Sequence, residues 1–150
     1  MNLPDILSFP DVKQRIRESL SEDLGPKMLD VTTFSLVAKD KQATANLVAR
    51  TDCVLAGGSV AKAVFNEVDR RLDVSVVAED GATLCAGDVV LSITGSARSI
   101  LVAERTALNF IQRMTGVATL TRQYVDEANN DAVAILDTRK TTPTLRTVEK

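Results

Sequence analysis

From Ala97 to Met114 the chain is written in the period of an α-helix. Set about 100° apart, Ile100, Ala103, Ala107, Leu108, Phe110, Ile111 and Met114 fill one broad apolar arc. Arg98, Arg105, Asn109, Gln112 and Arg113 fall on the other side. Gly95-Ser96 supplies the start, with Ser96 as cap. One residue breaks the pattern. Glu104 falls inside the apolar arc, where an isolated charge costs several kcal/mol or is neutralised. The spacing therefore predicts a buried, hydrogen-bonded Glu104 with a bracing role. Thr115-Gly116 reads as an interruption, and Val117, Leu120, Tyr124 and Val125 as a second helix to about Ala128.

The residues before this helix supply what it packs against. Ser8-Phe9-Pro10-Asp11 opens a helix, with Ser8 as cap and Val12, Ile16 and Leu20 on one face. Gly25-Pro26 stops it, and the polar stretch to Asp30-Val31-Thr32-Thr33 reads as a surface loop with aspartate turns. Ala43 to Arg50 alternates as a half-buried strand, and Cys53 to Ala56 continues the sheet until Gly57-Gly58. Val60, Val64, Phe65 and Val68 mark a helix to about Arg71. Leu72 to Val77 and Val89 to Thr94 are further strands, with turns at Glu79-Asp80-Gly81 and Ala86-Gly87-Asp88. Three or four antiparallel strands with helices on one face make an open α/β sandwich, so the fold class is α+β.

The last residues change character. Ala132-Val133-Ala134-Ile135-Leu136 reads as a buried strand. It ends in Asp137-Thr138-Arg139-Lys140, and Thr142-Pro143 reads as a helix start. Arg139 and Lys140 would then lie between a strand's carboxyl end and a helix N-terminus, where parallel α/β folds hold ligands. Two cations beside a helix N-terminus suit a carboxylate or a phosphate.

Composition narrows the chemistry. The chain has no His, so it cannot by itself build a His-dependent triad or a His-ligated metal site. A net charge of −2 and 3% aromatic residues give no field or stacking platform for nucleic acid. No apolar run approaches the about 20 residues that cross a bilayer, so no membrane partner is expected. Cys53 and Cys85 lack metal-type spacing and read as reduced core residues.

The motifs form an ordered set. Glu22-Asp23-Leu24-Gly25, Asp30-Val31-Thr32-Thr33, Glu79-Asp80-Gly81, Glu104-Arg105-Thr106-Ala107-Leu108-Asn109, Thr115-Gly116-Val117-Ala118 and Asp137-Thr138-Arg139-Lys140-Thr141-Thr142-Pro143 together resemble the quinolinate phosphoribosyltransferase family. The resemblance runs over nearly the whole chain. Thr144 departs from it, standing where the family usually has Gly.

The resemblance implies an α/β sandwich over residues 1–113 and, from 114 to 150, the beginning of a truncated C-terminal α/β barrel. These 150 residues would then be part of a longer enzyme. The implied reaction joins quinolinate to phosphoribosyl pyrophosphate, giving nicotinate mononucleotide, pyrophosphate and carbon dioxide in NAD biosynthesis. The fragment alone is expected to be inactive. Arg105, Thr138, Arg139 and Lys140 become the expected substrate-binding residues and Lys140 the catalytic one, with Arg146 a weaker candidate. Mg2+ is expected with phosphoribosyl pyrophosphate, on ligands outside this chain. A cytoplasmic homodimer or higher homo-oligomer is implied, with Arg105 supplied across the interface. Two other readings stay open: a molybdenum-transport-associated relative with another substrate, and a non-catalytic binding module.

Overall fold

Val89–Ser96 (β5) is the strand on which the main sheet is built. In this computed structural model, which describes residues 5–130 and 132–150, β5 lies between Gln42–Val48 (β1) and Asp73–Val76 (β3), antiparallel to both. Register follows the apolar alternation. Leu47 stands opposite Leu91, Ala45 opposite Ile93, and Val74 opposite Ile93 from the other side. Leu91 and Ile93 are buried because they lie mid-sheet, with apolar neighbours on both sides. Cys53–Val54 (β2) and Thr83–Leu84 (β4) pair as a separate two-stranded ribbon, so the run from Cys53 does not continue the main sheet.

Helices cover the apolar side. Pro10–Leu24 (α1) buries Val12, Ile16 and Leu20, the residues its sequence spacing selects. Its cap is Phe9 and makes no side-chain bond, because Ser8 belongs to a short 3-10 turn over Ile6–Ser8. Gly58–Val68 (α3) buries Val60, Ala61, Val64 and Phe65. The Asp80 carboxylate accepts from the Gly58 N–H at 2.8 Å, so Glu79-Asp80-Gly81 is both a turn and a cap for α3. Val31–Leu36 (α2) is a helix where a loop was expected. Asp30 is its cap, accepting from Thr33 N at 3.1 Å and Thr33 Oγ1 at 2.6 Å. A six-residue helix carries too little periodic signal to be read from sequence.

Ala97–Ala128 (α4) is one continuous helix, capped by Ser96 as expected and uninterrupted at Thr115-Gly116. A helical glycine costs only about 1 kcal/mol relative to Ala, and tertiary bonds offset it here. The Thr115 hydroxyl accepts from Ala56 N at 3.2 Å and donates to Ala56 O at 3.1 Å. One turn on, Thr119 does the same for Val54, at 2.9 and 3.4 Å. Two helix hydroxyls thus satisfy the backbone at and just beyond β2 on a side where no strand pairs with it.

Glu104 contradicts its expected place. It is exposed, and the buried polar residue of α4 is Thr106, 2% accessible. Along most of α4 the buried arc runs from Thr106 through Ala103 and Met114 to Ile111, with Glu104 next to it beside half-buried Leu108; only Ala97, in the first turn, is buried past it. Including Leu108 made the arc look wide enough to hold Glu104. The cysteines differ too: Cys53 is half-buried and Cys85 exposed, both as free thiols. Cys85 lies in the turn after β4, its N–H donating to Asp88 at 2.8 Å.

Beyond α4, Ala132 to Leu136 form no strand, and Leu136 is 78% exposed. A parallel strand takes its hydrogen bonds from neighbours, and among the described residues none runs alongside. The helix expected at Thr142-Pro143 begins later, as Arg146–Glu149 (α5), with Leu145 as cap. Thr144 adopts φ 70°, the left-handed conformation that glycine takes without strain, so the helix cannot start before it. No barrel is closed within the described residues.

Candidate anion site

The expected site residues fall on two separate surfaces. Arg105 projects from α4 toward the last turn of α1, where its Nη1 donates to Asp23 Oδ1 at 2.7 Å. Its side chain is still 74% exposed. Asp23, by hydrogen bond and then by charge, pushes the Arg105 pKa upward. Asn109, one turn along α4, lines a cavity of about 590 Å³ with Asp23, Arg113 and Thr142. Arg105 is therefore held at the rim of this chain's own α1–α4 seam.

Thr138, Arg139 and Lys140 lie in irregular chain between α4 and α5, all exposed. Thr138 Oγ1 accepts from Lys140 N at 3.0 Å, fixing the local turn. Thr138 and Lys140 line a second cavity of about 790 Å³ with Arg113, Arg122, Asp137 and Glu149. Arg139 lines neither cavity and is exposed. No carboxylate among the described residues lies within ion-pair distance of Arg139 or Lys140. Among the described residues no helix N-terminus of useful length faces them, since α5 begins only at Arg146 and has four residues. The expected help from a helix dipole is absent, and the cations alone make the site attractive to anions. Arg146 bonds its own loop, its Nε reaching Thr141 Oγ1 at 3.4 Å.

The residue that sequence reasoning passed over is Arg113. Its Nε donates to Glu149 Oε1 at 3.0 Å, and its Nη2 donates to Thr142 Oγ1 at 2.6 Å and also to Glu149. Glu149 Oε2 in turn accepts from Thr142 N at 2.8 Å. Thr142, through hydroxyl and backbone N–H, and then Arg113 lower the Glu149 pKa to about 2. Farther along, Thr147 Oγ1 donates to Asp11 at 2.5 Å, and Lys150 pairs with Asp137. The cation loop is thus fastened to α4 at Thr142 and to Lys150 at Asp137, while α5 itself is tied to α1. The signal in the sequence was only a cation two turns after Arg105 on the same polar side of α4.

Among the described residues no group of three or more His, Cys, Asp or Glu is arranged to hold a metal ion. No helix there is long and apolar enough to cross a membrane.

Comparison with known proteins bears on this arrangement. The model "Quinolinate phosphoribosyl transferase, N-terminal domain" matches residues 30–115, and the C-terminal domain model of the same family matches residues 117–150. The chain is similar to "Nicotinate-nucleotide pyrophosphorylase [carboxylating], chloroplastic" of Oryza sativa subsp. japonica, 42% identical over 93% of this chain and 37% of that protein. It is also similar to the carboxylating nicotinate-nucleotide pyrophosphorylase of Mycobacterium leprae, 40% identical over 95% of this chain and 50% of the relative. The chain thus spans half or less of the length of these relatives. Among solved structures it resembles NadC from Streptococcus pyogenes, with TM-score 0.88 and 38% identity over 93% of this chain and 50% of that one. The nicotinate-nucleotide pyrophosphorylase from Francisella tularensis superposes with TM-score 0.86 and 35% identity over 99% of this chain and 52% of that one. With sequence motifs, family models and fold all in agreement, the chain belongs to the quinolinate phosphoribosyltransferase family.

Proposed function

We propose that the full-length protein transfers the phosphoribosyl group of phosphoribosyl pyrophosphate to quinolinate, in NAD biosynthesis. The observation that carries this reading is the loop of Thr138, Arg139 and Lys140, whose two cations have no carboxylate partner among the described residues. Quinolinate is a planar dicarboxylate. Arg suits a bidentate hold on each carboxylate, and Lys acts as a compact point charge near the reacting centre. Arg139, and Arg105 from a second subunit, would hold the carboxylates. Thr138 and Lys140 would complete the anion site, with Lys140 catalytic through its charge.

The ring nitrogen bonds to the ribose carbon as pyrophosphate departs with the electron pair of the broken bond. The neighbouring carboxylate then leaves as carbon dioxide, and the ring carbon it vacates takes a proton. Positioning and charge stabilisation supply most of what this chemistry needs. Magnesium would accompany the pyrophosphate. The described residues do not fit a protein-held metal, so any protein ligands to it would lie outside them. The same reading divides the chain into a sandwich over 1–113 and the start of a barrel over 114–150. It places the protein in the cytoplasm as a homodimer or larger homo-oligomer, whereas the rice relative is named as chloroplastic.

The test is product formation by the full-length protein. Quinolinate with phosphoribosyl pyrophosphate should give nicotinate mononucleotide and carbon dioxide, and nicotinate, with one carboxylate fewer, should not substitute. No product from quinolinate, or equal use of nicotinate, contradicts the reading.

A further inference from the structure

We infer that Arg113 is a positioning residue, which holds the 138–142 loop in register against α4 so that Lys140 is aimed at substrate. The inference rests on the function proposed above and extends it to a residue that touches no substrate. Three observations carry it. The Arg113 guanidinium bridges two acceptors on different segments, Thr142 of the loop and Glu149 of α5. Glu149 closes the ring by accepting from Thr142 N at 2.8 Å, so loop backbone, loop hydroxyl and helix carboxylate meet at one cation. Thr142 lies two residues from Lys140, whose own N–H is tied back to Thr138 at 3.0 Å. The clamp at Thr142 and the tie to Thr138 hold the backbone on both sides of Lys140, and a misplacement of about 1 Å can cost about 100-fold in rate.

Arg113 also lies along α4 from Arg105 on the same polar side, and α4 is continuous through both positions. One rigid helix therefore sets the place of Arg105 directly and of the Lys140 loop through Arg113. The fork geometry matters. A lysine keeps the charge but cannot span both acceptors, so a role through charge alone and a role through the bridge separate experimentally.

The experiment uses the full-length protein with Arg113→Ala, Arg113→Lys, Thr142→Val, Lys140→Ala and the Arg113→Ala/Lys140→Ala double variant. Arg113→Ala is expected to lower kcat/KM for quinolinate by about 100-fold. Arg113→Lys should not restore it, and Thr142→Val, which removes one acceptor, should show part of the loss. In the Lys140→Ala background, Arg113→Ala should cost no more than about threefold, because the aimed group is already gone. Amide exchange at Lys140 and Thr142 should accelerate in Arg113→Ala. Independent, multiplying losses in the double variant, full rescue by lysine, or unchanged exchange at Thr142 would each overturn the inference. A wild-type protein inert toward quinolinate would sink the proposed function instead, while the exchange measurement would still decide whether Arg113 clamps the loop.

Discussion

Thr115 and Ala56 exchange two hydrogen bonds, the hydroxyl accepting from the Ala56 N–H at 3.2 Å and donating to its carbonyl at 3.1 Å. Thr119 repeats the exchange with Val54 one turn along. A threonine pair at helical spacing thus plays the part of a missing strand. Thr115→Val and Thr119→Val keep the shape but strand backbone groups without partners, and each should destabilise by about 1–3 kcal/mol. Urea unfolding of the full-length protein measures this. Wild-type midpoints for both variants would mean water replaces the hydroxyls without loss.

Thr144 offers the opposite sign. It holds φ 70°, where a side chain costs about 1–2 kcal/mol and glycine does not. Thr144→Gly should stabilise the protein by about 1 kcal/mol after glycine's greater unfolded freedom is counted. A destabilised variant would show that the Thr144 side chain makes contacts that outweigh its backbone strain.

Glu104 should be close to neutral. It is exposed and has no hydrogen-bond partner among the described residues, so Glu104→Ala should change stability by no more than about 0.5 kcal/mol. A loss of several kcal/mol would restore the buried-carboxylate expectation. Normal stability with lost activity would give Glu104 a functional role.

These cases mark how far sequence reading reaches. The helix of Val12, Ile16 and Leu20, the strand alternation of Ala45 and Leu47, and the Ser96 cap were legible because each is fixed by local period or local chemistry. The continuity of α4 through Gly116 was not, since Thr115 and Thr119 secure it by bonds to residues far back in the chain. The run from Ala132 to Leu136 has a strand's composition, but pairing requires neighbours that the described residues do not provide. Arg139 and Lys140 could be named from the motif, whereas Arg113 could not, because its partner Glu149 lies across a tertiary contact. Thr144 shows a subtler gap. Its departure from the family's glycine was visible, but its conformational consequence was not.

The Arg113 clamp should also respond to pH. Glu149 in the folded chain titrates at about 2, against an ordinary 4.5, so its carboxylate is the form that the fold favours. That stabilisation is fully present above the ordinary value and is lost as pH falls toward about 2. Following the Glu149 carboxyl by NMR should give a midpoint well below 4.5, moved upward by Arg113→Ala. A midpoint at the ordinary value would mean the clamp is not populated in solution.

In the function proposed above, one anion site draws on Arg105 of one copy and on the Thr138–Lys140 loop of another. Arg105 is bonded to Asp23, and it does not line the cavity that holds Thr138 and Lys140. The most direct measurement mixes full-length Arg105→Ala and Arg139→Ala proteins, each nearly inactive alone, and follows nicotinate mononucleotide formation after subunit exchange. At equal mixing about half the dimers are mixed, each with one site carrying neither defect, so activity should rise to about a quarter of wild type. No recovery despite verified exchange would place both arginines in the same chain's site and contradict the account.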